Sequence, residues 1–526
     1  MDSWTRYNDT LIRTTDLQIS LDFSQMGVEP GHVAVMSKPC EAAYAAMQAL
    51  EGGAISNPDE GRQVGHYWLR NASLAPKESP EIATYIKECI AAIESFAAAV
   101  HNGEVKPASS ERFTQVLVIG IGGSALGPQL VADALGAQDD KMGIAFLDNT
   151  DPDGFERVLS SLPLPETLTV VISKSGGTKE TYNGMCAAQA AYEAASLTFS
   201  QHAVAVTGEG SKLDKVAVDG GWVKRFDMTD WVGGRTSVTS VVGLLPMALQ
   251  GLNLTEFLNG AALMDAHTRK TDTSNNPAMM MALMWHAAGD GRGKKDMVIL
   301  PYKDRLMLMA KYLQQLVMES LGKEHDLKGK VVEQGIAVYG NKGSTDQHAY
   351  VQQLRDGVDN FFVTFIEVRQ SHSDVRVMND VASDYLQGFL RGTRSALADK
   401  KRPSMTLSLP TVDATRLGAV IALFERAVGY YASLVGINAY HQPGVEAGKV
   451  AAEAFIRLLN ASREVLQANV GNAQTAADWA AALTLKDDVS VENVYHALQH
   501  LANNDPGVEV IWGIRPAHDT FALQPA

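Results

Sequence analysis

The nine residues 173–181, Ser-Lys-Ser-Gly-Gly-Thr-Lys-Glu-Thr, concentrate groups that can bind an anion. They follow an apolar run that predicts a buried strand, and they precede a segment that predicts a helix. Four hydroxyls, two lysines and two glycines allow backbone and side-chain donors to converge on one phosphate dianion. An ordinary serine or threonine cap needs only one hydroxyl. The composition therefore favours a phosphate site over a purely structural turn.

A second glycine-rich turn follows the apolar run 116–119. Gly122 and Gly123 remove side chains where the backbone must turn sharply, and Ser124 offers a hydroxyl near the start of the next helix. The free N–H groups and the positive dipole of that helix end favour a phosphate. The spacing Gly120-x-Gly122-x-x-Ala125 also fits a loose dinucleotide fingerprint, which keeps NAD binding open.

Arg235 stands between a turn and a helix cap in the stretch 233–237, Gly-Gly-Arg-Thr-Ser. The following segment 238–249 is almost wholly apolar and predicts a buried helix. A permanently charged guanidinium at the mouth of a buried helix needs an anionic partner. That partner is either an acidic side chain of the chain itself or a bound anion, and the two alternatives are evenly matched.

Gln315 and Glu319 share one face of a predicted helix over 303–320. Glu319 lies at the carboxyl end, where the helix dipole disfavours negative charge and so suits a general base. His348 falls in the first turn of a predicted helix over 346–356, where the positive helix end keeps the imidazole neutral and ready to pass a proton. An ordinary solvent-exposed role is the alternative for both residues.

Gln442 and Lys449 belong to the start of a further predicted helix, with Pro443 near its first turn. Lys449 shares a face with Ala452 and Ile456, so the spacing places its ammonium along an apolar stripe near a positive helix end. This position is unfavourable for a charge and indicates a function, unless the side chain reaches the surface.

Short apolar runs alternate with helix-length segments over most of the chain. The predicted strands are 115–121, 143–148, 167–173, 202–207, a weaker 222–227, and then 297–301, 335–339 and 362–368. This alternation predicts an α/β fold with two parallel sheets, each flanked by helices, and ligands bound beyond the carboxyl ends of the strands. The predicted organisation is a helical N-terminal extension over 1–100, α/β domains over 101–284 and 285–470, and a helical tail over 471–526.

The totals exclude several classes of protein. A length of 526 residues predicts two or three domains, and a net charge of −15 argues against nucleic acid as a partner. Cys40, Cys89 and Cys186 are scattered, which indicates reduced thiols in a cytoplasmic protein. The first residues lack the basic and apolar regions of a signal peptide, and no apolar stretch approaches the length of a membrane span.

Six stretches together resemble the glucose-6-phosphate isomerase family, whose members are sugar isomerases of glycolysis and gluconeogenesis. They are GIGGSALGP at 120–128, SKSGGTKET at 173–181, GGRTS at 233–237, ESLGK at 319–323, DQHAY at 346–350 and GVEAGK at 444–449. They occur in the order that the family shows. The resemblance implies two sugar-isomerase (SIS) domains, a homodimer, and an aldose–ketose isomerisation through a cis-enediolate without metal or other cofactor.

The resemblance also implies roles for particular residues. Glu319 would move the proton between C1 and C2, Arg235 would stabilise the enediolate, and His348 and Lys449 would assist ring opening. In this family the histidine reaches across from the partner subunit. The residues implied to bind the sugar phosphate are Gly123, Ser124, Ser173, Lys174, Ser175, Thr178, Gln315 and Gln442.

Two other functions stay open on the residues alone. A dehydrogenase would use the Gly120 turn for NAD and needs an acidic ribose-binding residue, for which Asp148 is a distant candidate. A sugar-phosphate sensor would keep the stretch 173–181 but has no use for Glu319. Departures from the family pattern at 340–344 and 441–443 bear on the choice of sugar and leave mannose 6-phosphate open as a further substrate.

Overall fold

A computed structural model describes residues 2–28, 31–483 and 490–525. The chain divides into two compact units, Met1–His441 and Gln442–Ala526, and both large sheets belong to the first unit. The predicted division of the chain into four segments stays a prediction. The α/β class with parallel sheets flanked by helices is confirmed.

The first sheet has five strands, all parallel. In spatial order they are Gly143–Leu147, Gln115–Ile119, Thr167–Ile172, Ala203–Thr207 and Lys224–Asp227. The flanking helices that follow them in the chain are Leu126–Leu135, Pro152–Leu159, Lys179–Ala194 and Lys212–Asp219. Val116 and Val118 pack into one core while Leu117 and Ile119 pack into another, which is why the run is apolar without interruption. All five predicted strands are confirmed.

The second sheet has six strands and is mixed. In spatial order they are Leu11–Thr14, Ile19–Gln25, Ser404–Leu409, Phe361–Val368, Asp296–Pro301 and Val338–Tyr339. The last four are parallel, and the N-terminal hairpin adds two antiparallel strands at the edge. The sequence predicts neither this hairpin in its largely helical N-terminal segment nor the strand Ser404–Leu409. Both contain alternating apolar and polar residues, a period of two that indicates a strand.

The predicted helix over 303–320 has three parts. A 3₁₀ turn, Asp304–Leu306, precedes a short α-helix, Met309–Leu313, and a π-helical turn, Gln314–Glu319. The predicted helix over 346–356 is likewise divided into a 3₁₀ turn, Thr345–His348, and an α-helix, Val351–Asp356. A π-helical turn widens the backbone and is often found at functional sites.

Other helices complete the first unit. They are Ser3–Thr10, His32–Val35, Ser37–Glu51, Pro80–His101, Val241–Gln250, Leu254–Thr268, Pro277–Ala288, Ala382–Ala398 and Ala414–Val435. Three small antiparallel pairs join Ile55–Asn57 to Arg62–Gln63, Lys323–His325 to Val331–Gln334, and Arg376–Val377 to Asp380–Val381. The helix Ala414–Val435 is long and apolar enough to cross a membrane, and 83% of its apolar stretch is buried inside the protein. That burial is typical of a core helix.

The second unit combines helices with a small antiparallel sheet. Its helices are Pro443–Ala468, Ala476–Ala482 and Val491–Asn504, and its strands, in spatial order, are Gln474–Thr475, Thr520–Leu523 and Val508–Ile511. Helices are predicted over 474–484 and 489–502, and parts of both segments lie outside the described residues. The sheet is not predicted, because its strands are short and one of them, Gln474–Thr475, pairs with a segment distant in the chain.

A buried ionic network joins the N-terminal segment to the central helices of the first unit. Arg70 forms ion pairs with Asp265, at 2.9 Å, and with Glu425. Arg426 forms ion pairs with the same Asp265, at 3.2 Å, and with Glu51, at 2.8 Å. Removing one partner of such a network leaves an uncompensated charge in the interior, which is far more costly than losing a surface ion pair.

We therefore expect Arg70→Met to lower the free energy of unfolding by about 3–5 kcal/mol, because Asp265 and Glu425 would lose a shared counter-ion. The exposed Arg292 provides a matched control, and Arg292→Met should stay within about 0.5 kcal/mol of the parent protein. Denaturant unfolding followed by tryptophan fluorescence measures both. Equal stability of the two variants would contradict the role given to the network.

Candidate active site

Two glycine turns touch each other at the carboxyl edge of the first sheet. The 3₁₀ turn Gly122–Ser124 follows the strand Gln115–Ile119, and the 3₁₀ turn Gly234–Thr236 follows the last strand of the sheet. A Cβ on Gly123 would lie 2.0 Å from the carbonyl oxygen of Gly234, so only glycine allows the two backbones this approach. Gly122 has a φ of +58°, and a Cβ there would lie 3.0 Å from Nε2 of Gln315. The two glycine turns and the π-helical turn Gln314–Glu319 therefore lie next to one another.

Hydrogen bonds within the loop over 173–178 hold its side chains close together. Ser173 Oγ donates to Thr178 Oγ1 at 3.4 Å, and the backbone N–H of Gly177 donates to Ser175 Oγ at 3.1 Å. Lys174 reaches the segment before the Arg235 turn, where its Nζ donates to the backbone carbonyls of Asp230 and Val232 at 3.2 and 3.4 Å. The loop is thus tied to the second glycine turn.

An open cavity of about 720 Å³ lies beside this loop. Lys174, Ser175 and Thr178 line it together with Ser211 and Arg62 from the N-terminal segment. Burial lowers the pKa of Lys174, and its ion pair with the Asp230 carboxylate at 3.1 Å opposes that shift. The cavity has space for a phosphate beside two cations and four hydroxyls, and three carboxylates, those of Glu209, Asp227 and Asp230, also line it.

Arg235 and Glu319, which belong to two different predicted domains, form an ion pair. Nε of Arg235 lies 3.4 Å from Oε2 of Glu319, and the arginine is only 7% exposed. Nη2 of Arg235 also donates to the carbonyl of His441 at 3.2 Å. Burial lowers the pKa of Arg235, and the Glu319 carboxylate opposes that shift. Of the two alternatives for its anionic partner, the structure shows the internal carboxylate.

The Glu319 carboxylate keeps capacity for a further bond. Its Oε2 is buried and, among the described residues, accepts no hydrogen bond within normal geometry despite facing the guanidinium. The side chain is 30% exposed, so it borders open space as well as Arg235. A buried carboxylate oxygen without a donor is an acceptor that a substrate proton could use.

Comparison with known proteins decides the family. A sequence profile described as phosphoglucose isomerase matches residues 22–401 and 393–477. Glucose-6-phosphate isomerases from Synechococcus elongatus and Geobacter sulfurreducens are each 55% identical over 96% of this chain and 96% of their own. The chain belongs to the phosphoglucose isomerase family. A crystal structure of a glucose-6-phosphate isomerase from Chlamydia trachomatis is 27% identical, with a TM-score of 0.79 over 88% of this chain and 93% of that one.

Membership of an isomerase family leaves the dehydrogenase alternative without support. Asp148, the candidate ribose-binding residue, accepts a hydrogen bond from Gln129 at 2.8 Å. In the part of the chain that the structure describes, no three His, Cys, Asp or Glu side chains form a group that could hold a metal ion.

Three of the predicted site residues lie away from this ion pair or in the other unit. His348 is exposed at the end of its 3₁₀ turn, and no hydrogen bond or ion pair between described residues joins it to Glu319 or Arg235. Gln442 and Lys449 belong to the second unit, at the start of the helix Pro443–Ala468. Lys449 is exposed, and so are Ala452 and Ile456, the two residues that the sequence places on the same face of the helix.

Lys323 is a residue of this candidate site to which the sequence assigns no role. It is 5% exposed, and its Nζ donates to the carbonyls of Glu319 and Ser320 at 2.5 and 2.9 Å. Burial and the charge of Arg235 lower its pKa to about 7, while Glu319 and Asp59 oppose the shift. Its side chain caps the end of the π-helical turn that carries the carboxylate. The only sequence signal is its place in the stretch ESLGK.

A turn of the N-terminal segment, at residues 57–59, also reaches the site, although the sequence assigns it no chemistry. Asn438 donates to Asp59 Oδ2 at 2.6 Å and to Asn57 Oδ1 at 3.0 Å. His441 lies 3.7 Å from the same Asp59 oxygen, and burial lowers the pKa of its imidazole. These bonds hold the segment 438–441 in place, and its carbonyls accept hydrogen bonds from Arg235.

Gly123→Ala should disturb the contact between the two glycine turns, because its Cβ would overlap the Gly234 carbonyl. We expect kcat/KM for the family's reaction to fall by about 10²-fold, the scale of a misplacement of about 1 Å. Gly234→Ala is the matched control, since a Cβ there has no atom within 4 Å. Steady-state kinetics with a fold check by circular dichroism compares them, and equal activities would contradict the steric argument.

Lys323→Met should change how stability depends on pH. An unburied lysine has a pKa of 10.5, so between about pH 7 and pH 10.5 the native state releases a proton that the unfolded state keeps. The stability of the parent protein relative to Lys323→Met should therefore rise with pH across this window. Denaturant unfolding at several pH values measures the slope, with Lys328→Met at an exposed site as the control. If the stability difference from the parent protein does not change with pH for either variant, Lys323 has the pKa of an exposed lysine and the argument is contradicted.

Proposed function

We propose that the chain catalyses the reversible isomerisation of glucose 6-phosphate to fructose 6-phosphate through a cis-enediolate, with Glu319 as the base. The observation that carries the proposal is the buried ion pair of Glu319 with Arg235, in which one carboxylate oxygen lacks a hydrogen bond. The names of the relatives that are 55% identical support the choice of substrate.

The phosphate is proposed to bind at the loop over 173–178, with Ser173, Lys174, Ser175 and Thr178 as donors. The adjoining cavity has the volume and the hydroxyl and ammonium groups for a dianion. Gly123 and Ser124 would add backbone and hydroxyl donors from the neighbouring turn. Holding the non-reacting end of the sugar lets binding energy position the reacting carbons.

The proton transfer is proposed to take place at the other end of the sugar. The Glu319 carboxylate would remove a proton from C2 and return it to C1, while Arg235 stabilises the negative charge that develops on the enediolate oxygen. Such a base contributes about 10²–10⁴-fold, and a donor aimed at the developing charge on the order of 10²-fold more. Gln315 would contact the sugar beside the Gly122 turn, where its amide lies in the structure.

Ring opening and assembly complete the proposal. His348 and Lys449 would assist ring opening, and Gln442 would line the sugar. His348 is exposed, which is compatible with a homodimer in which this residue reaches the neighbouring copy's site. The enzyme would act in glycolysis and gluconeogenesis in the cytoplasm, without a metal or other cofactor.

Glu319→Gln tests the base. We expect turnover of glucose 6-phosphate and fructose 6-phosphate to fall by about 10²–10⁴-fold, because an amide cannot accept the proton. Binding of fructose 6-phosphate, measured by calorimetry, should persist. The control is Glu324→Gln, which changes a glutamate whose side chain is 72% exposed.

The outcomes separate the alternatives. Retained turnover in Glu319→Gln would remove the assignment of the base. Absence of turnover in the parent protein, with sugar phosphate still bound, would indicate the sensor. Mannose 6-phosphate in the same coupled assay shows whether it is a further substrate.

A further inference from the structure

One face of the second sheet changes from apolar to polar toward its N-terminal edge. Val298 and Val363 on this face pack with Leu390 of the helix Ala382–Ala398 in an apolar core. On the next two strands the same face carries Thr406 and, directly across from it in register, Asp22. A face between a sheet and a helix is normally apolar, because buried polar groups are costly without partners.

The polar part of this face is extensive and buried. Its members are Ser20, Asp22, Ser24, Glu367, Ser404, Thr406 and Ser408, each less than 9% exposed. The covering helix presents Gln387, Arg391 and Arg394 at positions i, i+4 and i+7, which lie on one side of a helix. Sheet and helix therefore agree in placing polar groups here.

A cavity of about 300 Å³ lies in this polar region. Its lining includes Glu367, Arg369, Gln387, Arg391 and Thr406, none of which belongs to the proposed catalytic site. A volume near 300 Å³ is at the lower end of small-ligand sites. Polar packing alone would not require this much open space.

The Glu367 carboxylate holds one wall of the cavity in place. Its Oε1 accepts hydrogen bonds from Gln387 at 2.5 Å and from Arg391, and its Oε2 accepts one from Ser408 at 2.5 Å. A guanidinium has five N–H donors. Arg391 thus retains donors beyond its contact with Glu367, and Arg369, whose Nη2 donates to Ser20 Oγ at 2.8 Å, does so as well.

The floor of the cavity has an unused polar group. Thr406 Oγ1 is buried and has no hydrogen-bond partner among the described residues, and the residue is 2% exposed. Leaving such a hydroxyl without a partner costs about 1–3 kcal/mol. A ligand hydroxyl in the cavity would satisfy it.

The charges of the region indicate the sign of the ligand. Two arginines, Arg369 and Arg391, line the cavity together with two carboxylates, Asp22 and Glu367, in a chain whose net charge is −15. Arg394 pairs with Asp22 from outside the lining and Arg391 pairs with Glu367, so that Arg369 is the lining charge that forms no ion pair among the described residues. A local excess of positive charge in an acidic protein favours an anion. Arginine is also the side chain best suited to bind phosphate or carboxylate through paired donors.

We propose that this cavity is a second ligand site, separate from the catalytic one, that binds a small hydroxylated anion. Arg369 and Arg391 bind its phosphate or carboxylate group at the mouth, and Thr406 bonds one of its hydroxyls at the floor. The inference stands on the second sheet alone and does not require the proposed function.

The test is calorimetric titration with glycerol 3-phosphate and with D-glycerate, which carry a phosphate and a carboxylate on a similar hydroxylated chain. The titrations use the full-length protein and the variant Ser175→Ala/Thr178→Val, which weakens binding at the proposed catalytic phosphate loop. We expect one ligand per chain to remain bound in that variant. The stronger of the two probes identifies the anionic group.

Arg369→Gln and Thr406→Val, each made in that background, assign the remaining ligand to the cavity. We expect the first to weaken binding by about tenfold or more, and the second several-fold, because each removes one hydrogen-bonding group. Thr406→Val keeps the shape of the side chain and removes only an unpartnered hydroxyl, so it is expected to fold. Arg376→Met, at an exposed arginine on a nearby hairpin, is the control and should bind like its background.

Two outcomes would overturn the proposal. One is that no probe binds once the phosphate loop is altered. The other is that Arg369→Gln and Thr406→Val bind as tightly as the Arg376→Met control. Turnover should be unchanged in Arg369→Gln made in the parent protein, so failure of the catalytic proposal and failure of this one are measured separately.

Discussion

The buried contact between Arg235 and Glu319 is the interaction on which the candidate site depends. A guanidinium that is 7% exposed must be compensated, and it is compensated by one carboxylate and by backbone carbonyls at 439 and 441. These partners come from the π-helical turn and from the end of the first unit. The chain must therefore bring three distant segments together before the arginine is stable in the interior.

The close contact between two backbone turns sets the position of the Arg235–Glu319 pair as much as charge does. The missing side chain of Gly123 allows the turns Gly122–Ser124 and Gly234–Thr236 to touch, and the parallel arrangement of the strands brings both turns to one edge of the first sheet. The π-helical turn then places Gln315 beside Gly122 and Glu319 beside Arg235. Lys323 donates hydrogen bonds to the carbonyls of Glu319 and Ser320 and so holds the end of that turn in place.

The two sheets use their polar groups differently. In the first sheet the three central strands are buried on both faces, and the candidate site residues lie in the loops beyond the carboxyl ends of the strands. In the second sheet the N-terminal hairpin extends a parallel sheet with strands whose polar face is buried under a helix. The arginines and carboxylates of that layer do not use all of one another's hydrogen-bonding groups. Polar groups without a partner therefore remain beside the cavity.

By itself the amino-acid sequence determined the α/β class, the strands of the first sheet and the identity of Arg235, Glu319 and the residues 173–178 as candidates. These follow from local patterns, since apolar runs, glycine spacing and hydroxyl-rich turns are properties of neighbouring residues. Tertiary structure alone decided that Arg235 pairs with Glu319, that Lys323 and Asp59 border them, and that a polar layer lies on the second sheet. Each of these depends on burial and on contacts between segments far apart in the chain, which no local pattern records.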